Sequence, residues 1–522
     1  MSSGAVAKVA FLPSGVELAL IDDEIIVGKD VLELITDAMY ADPLSIYREY
    51  IQNAADAIDE GRAAGLYTEE NESPKVSIVL NREDRSVTIT DNGVGVPNAE
   101  FVKRLSAIGG SKKRGASFRG LRGVGRLSGL GYCQEVIFRS RAVGDKKVFE
   151  IYWDGRQLKE VLRDVDFGGG LLGAIKAIAK TTKANAGDLP SHFFQVELRK
   201  VARIKNDVLL NDEAVRDYVA QVAPVGFRPT FSFGSEIQDF LGEFGAGAPF
   251  DVELNDGHGV VYRPYQDELR ITDKQSDSLR APEFFKVPGL QDGTAAVGWI
   301  LHHSYFGAWP RRSGIGGIRV RVGNIQIGGS DFFAGHFVEP RFNQWCVGEV
   351  HVVSDKLTPN GRRDDFEYSA HYENLLGHMA PRLNELMRIC RERSELRQKL
   401  KAANQYVQKA KHSIIALRGR SASPIVRKVS EWQCLDALKG LEHAAKARAL
   451  AQSERSLIEA EHSRLKEELA RQIARYGGRD PLRTIGTRRR KDVESLVRLV
   501  FERIRNQKKA EDFARRLISA FK

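Results

Sequence analysis

Residues 48–57, Arg48-Glu49-Tyr50-Ile51-Gln52-Asn53-Ala54-Ala55-Asp56-Ala57, carry the reading on which the fold turns. Glu49 and Asn53 are four apart and Asp56 follows three further on, which lines a carboxylate, an amide and a second carboxylate along one helix face. The flanking Ile46, Ala54, Ala57 and Ile58 make the helix a packed one, and polar groups in a packed helix need partners. A solvated helix face would use the same residue types, so the neighbouring segments have to decide.

Upstream, helical periodicity over Val31 to Asp59 is interrupted at Asp42-Pro43, where proline opens a new helix. Downstream, Val76, Ile78 and Leu80 alternate with polar residues, a turn follows at Asn81 to Arg85, and Val87 and Ile89 alternate again. That hairpin delivers Asp91 to a strand end, just before Asn92-Gly93-Val94-Gly95. A fixed carboxylate beside two glycines suits acceptance of a hydrogen bond from an exocyclic amine, although D-x-G-x-G alone also describes a common surface turn. Further on, Gly109-Gly110-Ser111-Lys112-Lys113-Arg114 precedes Gly120-Leu121-Arg122-Gly123-Val124-Gly125. Glycines ahead of a helix start let backbone N–H groups face phosphate oxygens. Neither a Rossmann fingerprint nor a G-x-x-x-x-G-K-[ST] loop occurs.

Taken in order, the three motifs and their flanks, above all Ile35 to Asp59 (ITDAMYADPLSIYREYIQNAADAID), resemble the ATPase domain of heat-shock protein 90 chaperones, in the superfamily of gyrase B, MutL and histidine kinases. The resemblance covers residues 20–200 well and implies an α+β protein opening with a two-layer α/β sandwich that carries a Bergerat-type ATP site. It implies ATP and Mg²⁺ as cofactors. Glu49 would orient the attacking water as general base and Asn53 would bind Mg²⁺. Asp91 would accept the adenine amine with Asp56 supporting it, and Gly93 and Gly95 would let the ligand approach. Ser111, Lys112, Gly120, Gly123 and Gly125 would belong to the phosphate-covering lid. The family's threonine should fall within Ser191 to Leu198, where no glycine-threonine pair occurs, so no contact is assigned to that strand. A histidine kinase is disfavoured because no phospho-acceptor helix precedes the site.

A second, moderate resemblance covers 315–370, where Gly348 to Asp364 looks like the middle-domain strand and loop of the same chaperones. Arg363, with Arg362 as rival, matches the arginine that reaches the γ-phosphate, a task that suits a planar guanidinium. Alternation at Ile318, Val320 and Val322 and the run Val350 to Val353 read as strands, so 206–380 is expected to be an α+β middle domain after an ATP-binding domain at 1–205.

Residues 381–522 differ in kind. They hold 35 basic and 17 acidic residues, a net of +18, against −8 for residues 1–380. Leu396, Leu400, Ala403, Val407, Ala410, Ile414 and Leu417 follow a heptad seam, so this part reads as all-α with a coiled coil that tethers a homodimer, an intramolecular hairpin being the competing reading. The expected function is an ATP-driven conformational clamp closing on a protein client. The alternative is a nucleic-acid-directed clamp using the basic C-terminal region. At 522 residues and 28% charged, with no apolar run of membrane-spanning length, no membrane is expected. The opening MSSGAVAKVAF has no secretory pattern, which makes the cytoplasm the expected location. Four dispersed cysteines suggest plain thiols, and His302-His303 has no acidic or cysteine cluster nearby in the sequence to make it a metal site.

Overall fold

The computed structural model describes residues 28–32, 42–68, 72–107, 125–184, 189–255, 259–272, 275–419, 422–447, 450–476 and 480–522. Ser111, Lys112, Gly120 and Gly123 lie outside the described residues.

Helix α1 (Ser45–Ala63) forms because Ile46, Tyr47, Tyr50, Ile51, Ala54, Ala55 and Ile58 recur at helical spacing, and all are buried in one core. Its entry is set at Asp42-Pro43, where the Asp42 carboxylate accepts from the Leu44 N–H at 3.1 Å. Strands β1 (Lys75–Asn81) and β2 (Ser86–Asp91) make the expected hairpin, in register from Val76↔Asp91 to Asn81↔Ser86. The turn closes with Asn81 Oδ1 accepting from the Asp84 N–H at 2.9 Å and Arg85 in the left-handed region. The chain continues through α2 (Phe101–Ser106), β3 (Glu135–Arg141), β4 (Val148–Asp154), α3 (Gly155–Arg163), α4 (Gly170–Ile178), β5 (Ala179–Ala184), β6 (Phe193–Arg199), α5 (Asp212–Val222), α6 (Gly234–Glu243) and β7 (Asp251–Leu254).

The first sheet runs β5-β4-β3-β6-β2-β1-β7. It is antiparallel except that β7 joins β1 in parallel. Helix α1 lies in the same core as Val76, Ile78, Val87, Ile89, Val136, Phe138, Trp153, Val196 and Leu198, a two-layer sandwich. Residues beyond 205 complete it, since β7 supplies its edge and Val215, Val219 and Ala220 of α5 join its core.

A two-stranded ribbon of β8 (Glu268–Thr272) and β9 (Gln275–Ser278) precedes the second sheet. That sheet runs β10-β11-β14-β12-β13 and is built from β10 (Pro282–Pro288), β11 (Thr294–Leu301), β12 (Gly317–Val322), β13 (Ile325–Ile327) and β14 (Val347–Val352). Strands β12 and β14 pair in parallel at its middle, and burial reaches even their polar residues Arg319, Arg321, Glu349 and His351. Glu349 accepts from Arg263 and, at 3.0 Å, from His351 Nε2, and it lies 3.0 Å from Arg321 Nε in an ion-pair contact without an aligned hydrogen bond. Burial opposes its charge, but the two guanidiniums outweigh that and hold the carboxyl well below its usual range. Burial pushes His351 down to about 4, which leaves it neutral at physiological pH. Arg321 also donates to the Gln221 carbonyl at 2.6 Å, and Ile325 of β13 sits in the first core, so the two sheets are locked together. Trp299, Tyr305 and Trp309 are core residues, whereas Phe306 is exposed. His303 is spent on Asp277 and the Trp345 carbonyl, at 2.9 and 2.8 Å.

Helix α7 (Ala370–Leu417) has 48 residues and, at 1.5 Å per residue, spans about 72 Å. It runs unbroken through Pro381. Its first half packs on the second sheet through Tyr372, Leu375, Met379, Leu383, Leu386 and Cys390. Ala403, Ala410, Ile414 and Leu417 of the heptad seam pack against Cys434, Leu438 and Leu441 of α8 (Pro424–Ala445) and Leu465 and Leu469 of α9 (Gln452–Tyr476). From Ala403 to Leu417 the seam is therefore filled within the chain, the competing reading of it, while Leu396 and Leu400 are half-buried outside that core. The physical reason is the break after Leu417, where Ser423 caps a new helix with Pro424 in its first turn and folds it back. Helices α10 (Thr487–Arg503) and α11 (Gln507–Ala520) close a last small core on Ile425, Val429 and Trp432 of α8. All four cysteines are free and buried.

Candidate functional site

The face of α1 that carries Glu49, Asn53 and Asp56 sits beside the loop that leaves β2. Glu49 and Asp56 are 5% and 2% exposed, and Asn53 is half-buried. The loop is tied to the helix by the Val94 N–H, which donates to the Ala57 carbonyl at 3.3 Å. Gly93 must be glycine because a Cβ there would press into the Ala57 backbone. Gly95 has φ +68° and a Cβ would meet the Arg141 carbonyl. Both glycines thus serve close packing of the loop on its own scaffold.

Asp91 ends β2 with 4% exposure, its Oδ1 accepting from the Gly93 N–H at 3.0 Å. Burial raises its pKa to about 7, an effect that this single backbone bond only partly offsets. Two neighbours were not legible in the sequence. Strand β6 pairs with β2 so that Phe194 lies opposite Asp91 and Gln195 donates to Thr90 Oγ1 at 3.0 Å. His192 lies 2.8 Å from the Gly93 carbonyl through Nδ1, and since a carbonyl only accepts, Nδ1 carries the proton. The segment Ser191 to Leu198, to which no contact was assigned, therefore borders the site.

Gly125 opens a 3₁₀ segment, Gly125–Gly131, directly against Glu49, where a Cβ would collide with the Glu49 carboxylate. Tyr50 pins this segment, its hydroxyl donating to the Arg126 carbonyl at 3.1 Å and accepting from the Gly129 N–H at 3.2 Å.

From the second sheet, the loop after β14 reaches the same place. Arg363 Nε lies 3.2 Å from Glu49 Oε1, an ion-pair contact that falls short of an aligned hydrogen bond. Arg363 takes φ +58° and its side chain is 11% exposed, whereas Arg362 is exposed. Arg48, which sequence reasoning left without a role, donates to the Arg362 carbonyl at 3.1 Å and the Arg363 carbonyl at 3.5 Å. Glu49 Oε1 and both polar atoms of Gln52 are buried without a hydrogen bond, so the site holds unsatisfied polar groups that a polar ligand could meet. Among the described residues no cluster of three or more His, Cys, Asp or Glu is arranged for a metal. A cation here would draw most of its shell from phosphate and water, with an amide such as that of Asn53 as a hard oxygen donor.

The site thus joins a buried carboxylate at a strand end, an acid–amide–acid helix face and a glycine-led segment on a two-layer sandwich. Residues 44–163 match the family described as Histidine kinase-, DNA gyrase B-, and HSP90-like ATPase. The chain is similar to the chaperone protein HtpG of Acinetobacter baylyi, 32% identical over 130 residues covering 22% of this chain and 20% of the relative. It is also similar to that of Klebsiella pneumoniae, 26% identical over 210 residues covering 37% and 30%. The chain thus spans between a fifth and a third of the length of these curated relatives.

Proposed function

We propose that the protein is an ATPase of the heat-shock protein 90 type, a conformational clamp that binds and hydrolyses Mg-ATP and acts on protein clients. The observation that carries this reading is the meeting of Glu49, on helix α1, and Arg363, on the loop after β14 of the second sheet, at 3.2 Å beside a segment led by Gly125. In this reading Asp91 accepts from the adenine amine, with Asp56 beside it and Gly93 and Gly95 shaping the loop. Glu49 holds and deprotonates the attacking water, while the Arg363 guanidinium takes up charge developing on the γ-phosphoryl oxygens. Asn53 would hold Mg²⁺, which when bound neutralises phosphate charge. Ser111, Lys112, Gly120, Gly123 and Gly125 cover the phosphates. The three functional parts are 1–205, whose sheet and core α5 and β7 complete, 206–380, and 381–522, joined to the second part through the continuous helix α7.

A client role rather than a nucleic-acid role is supported by relatives that are named chaperones. Many of the C-terminal cations are also already paired, as in Arg418–Glu468, Arg490–Asp480 and Arg498–Asp436. A homodimer would be tethered elsewhere than the filled seam, and the exposed Leu496, Leu499 and Phe513 of α10 and α11 offer the apolar surface. No described helix is long and apolar enough to cross a membrane, and a cytoplasmic location is part of the proposal. Phosphate release from ATP, measured alone and with unfolded protein, DNA or RNA, tests the whole. Stimulation by unfolded protein supports it, stimulation by nucleic acid alone replaces the client, and no release in any condition removes the ATPase.

A further inference from the structure

Arg48 and Arg363 are 315 residues apart, yet the Arg48 guanidinium spans two successive backbone carbonyls of the loop that carries Arg363. Arg48 is 7% exposed. Among the described residues it has no carboxylate partner, so carbonyl dipoles are what compensate its buried charge there. A buried guanidinium is costly unless its donors are used; Nη1 and Nη2 are both aimed at this one loop, while Nε is buried without a hydrogen bond.

That loop is held from within and by the turn that follows β13. Asn360 Nδ2 donates to Asp364 Oδ1 at 2.6 Å, the Arg363 N–H to the Asn360 carbonyl at 3.1 Å, and the Gly328 N–H to the Arg363 carbonyl at 2.8 Å. What those bonds do not supply is its seating on α1. The contacts from α1 to the loop come from adjacent residues, Arg48 gripping the backbone and Glu49 facing the side chain of Arg363.

We propose that Arg48 is a positioning residue that seats the 360–364 loop on α1 and so sets Arg363 against Glu49, making hydrolysis depend on the docking of the second sheet's loop. This rests on the ATPase reading for its consequence, but the seating itself does not. A lysine would keep the charge and lose the fork that spans two carbonyls, so geometry and not charge alone is the property at stake.

Two measurements on the full chain test it. In the first, ATP affinity and turnover are compared for Arg48→Ala, Arg48→Lys, Arg363→Ala and the Arg48→Ala/Arg363→Ala double variant. Arg48→Ala is expected to lower kcat about ten- to hundredfold, as for loss of hydrogen bonds from a charged donor, with affinity changed less than about threefold. Arg48→Lys should recover only part of that loss. Because Arg48 acts through Arg363, the double variant should be no slower than Arg363→Ala. A double variant slowed by the product of the two single effects, or full activity in Arg48→Lys, overturns the proposal. In the second, amide hydrogen exchange over 360–366 is followed without nucleotide. Faster exchange in Arg48→Ala than in the parent chain is expected, and unchanged exchange overturns the seating whether or not ATP is hydrolysed. Faster exchange together with no turnover in the parent chain keeps the seating and removes the ATPase reading instead.

Discussion

Helices α1 and α7 are both amphipathic, and they use that property differently. The buried apolar residues of α1 serve one sheet and one core along its whole length, which leaves the opposite side to Glu49, Asn53 and Asp56. Helix α7 changes partner midway. Its buried positions Tyr372, Leu375, Met379, Leu383, Leu386 and Cys390 repeat every 3.6 residues on average where it lies on the sheet, then shift to the heptad spacing of Ala403, Ala410, Ile414 and Leu417 where it joins other helices. A constant partner leaves a constant free face, on which a site can be built; a change of partner turns the helix into a connector.

The largest effect expected from this contrast lies on α1. Glu49→Ala should abolish hydrolysis, a loss of about 10²–10⁴ typical of a general base, while ATP binding measured by calorimetry persists. Loss of binding instead would make Glu49 a structural member of the face. Arg363→Ala should slow turnover by up to about 10³, and Arg362→Ala far less, since the Arg362 side chain is exposed. The reverse ranking would mean that the loop moves by one residue when nucleotide is bound.

On α7's side of the comparison, Leu441→Ala in α8 empties a position that is 1% exposed and should cost about 2–5 kcal/mol in denaturant unfolding, with ATP affinity unchanged. That cost should not vary with protein concentration, because the seam is filled within one chain. A concentration-dependent cost would move the seam into a dimer interface and break the contrast.

Asp91→Asn should weaken ATP binding by about 1.5–3 kcal/mol, the range for a hydrogen bond to a charged group. The smallest effect is on pH. The folded pKa of Asp91 is raised to about 7 by burial, so its unfavourable ionisation makes the nucleotide-free fold lose stability as pH rises toward and through about 7. Nucleotide affinity should change the other way, falling as pH drops through about 7 and the carboxylate becomes protonated. A flat affinity profile across that range would show that Asp91 does not meet the ligand as a carboxylate.

The sequence by itself determined the elements whose partners are local. The 3.6-residue recurrence in α1, the alternation of β1 and β2 and the Asn81 turn are short-range patterns, and together they fix Asp91 at a strand end and Glu49, Asn53 and Asp56 on a helix face. The choice between Arg363 and Arg362 was open in the sequence, because neighbouring residues on a loop carry no periodicity to tell them apart; in the structure it is Arg363, in left-handed backbone, whose side chain meets Glu49. Arg48 was invisible as a participant, since its partners are backbone carbonyls, which every residue has and no side chain advertises. The placement of β6 beside Asp91, the completion of the first sheet by β7 and the filling of the heptad seam by α8 and α9 also needed the tertiary structure. An apolar face or a strand edge states that it must be covered, and only the folded chain settles by what, because burial rewards any apolar surface of fitting shape.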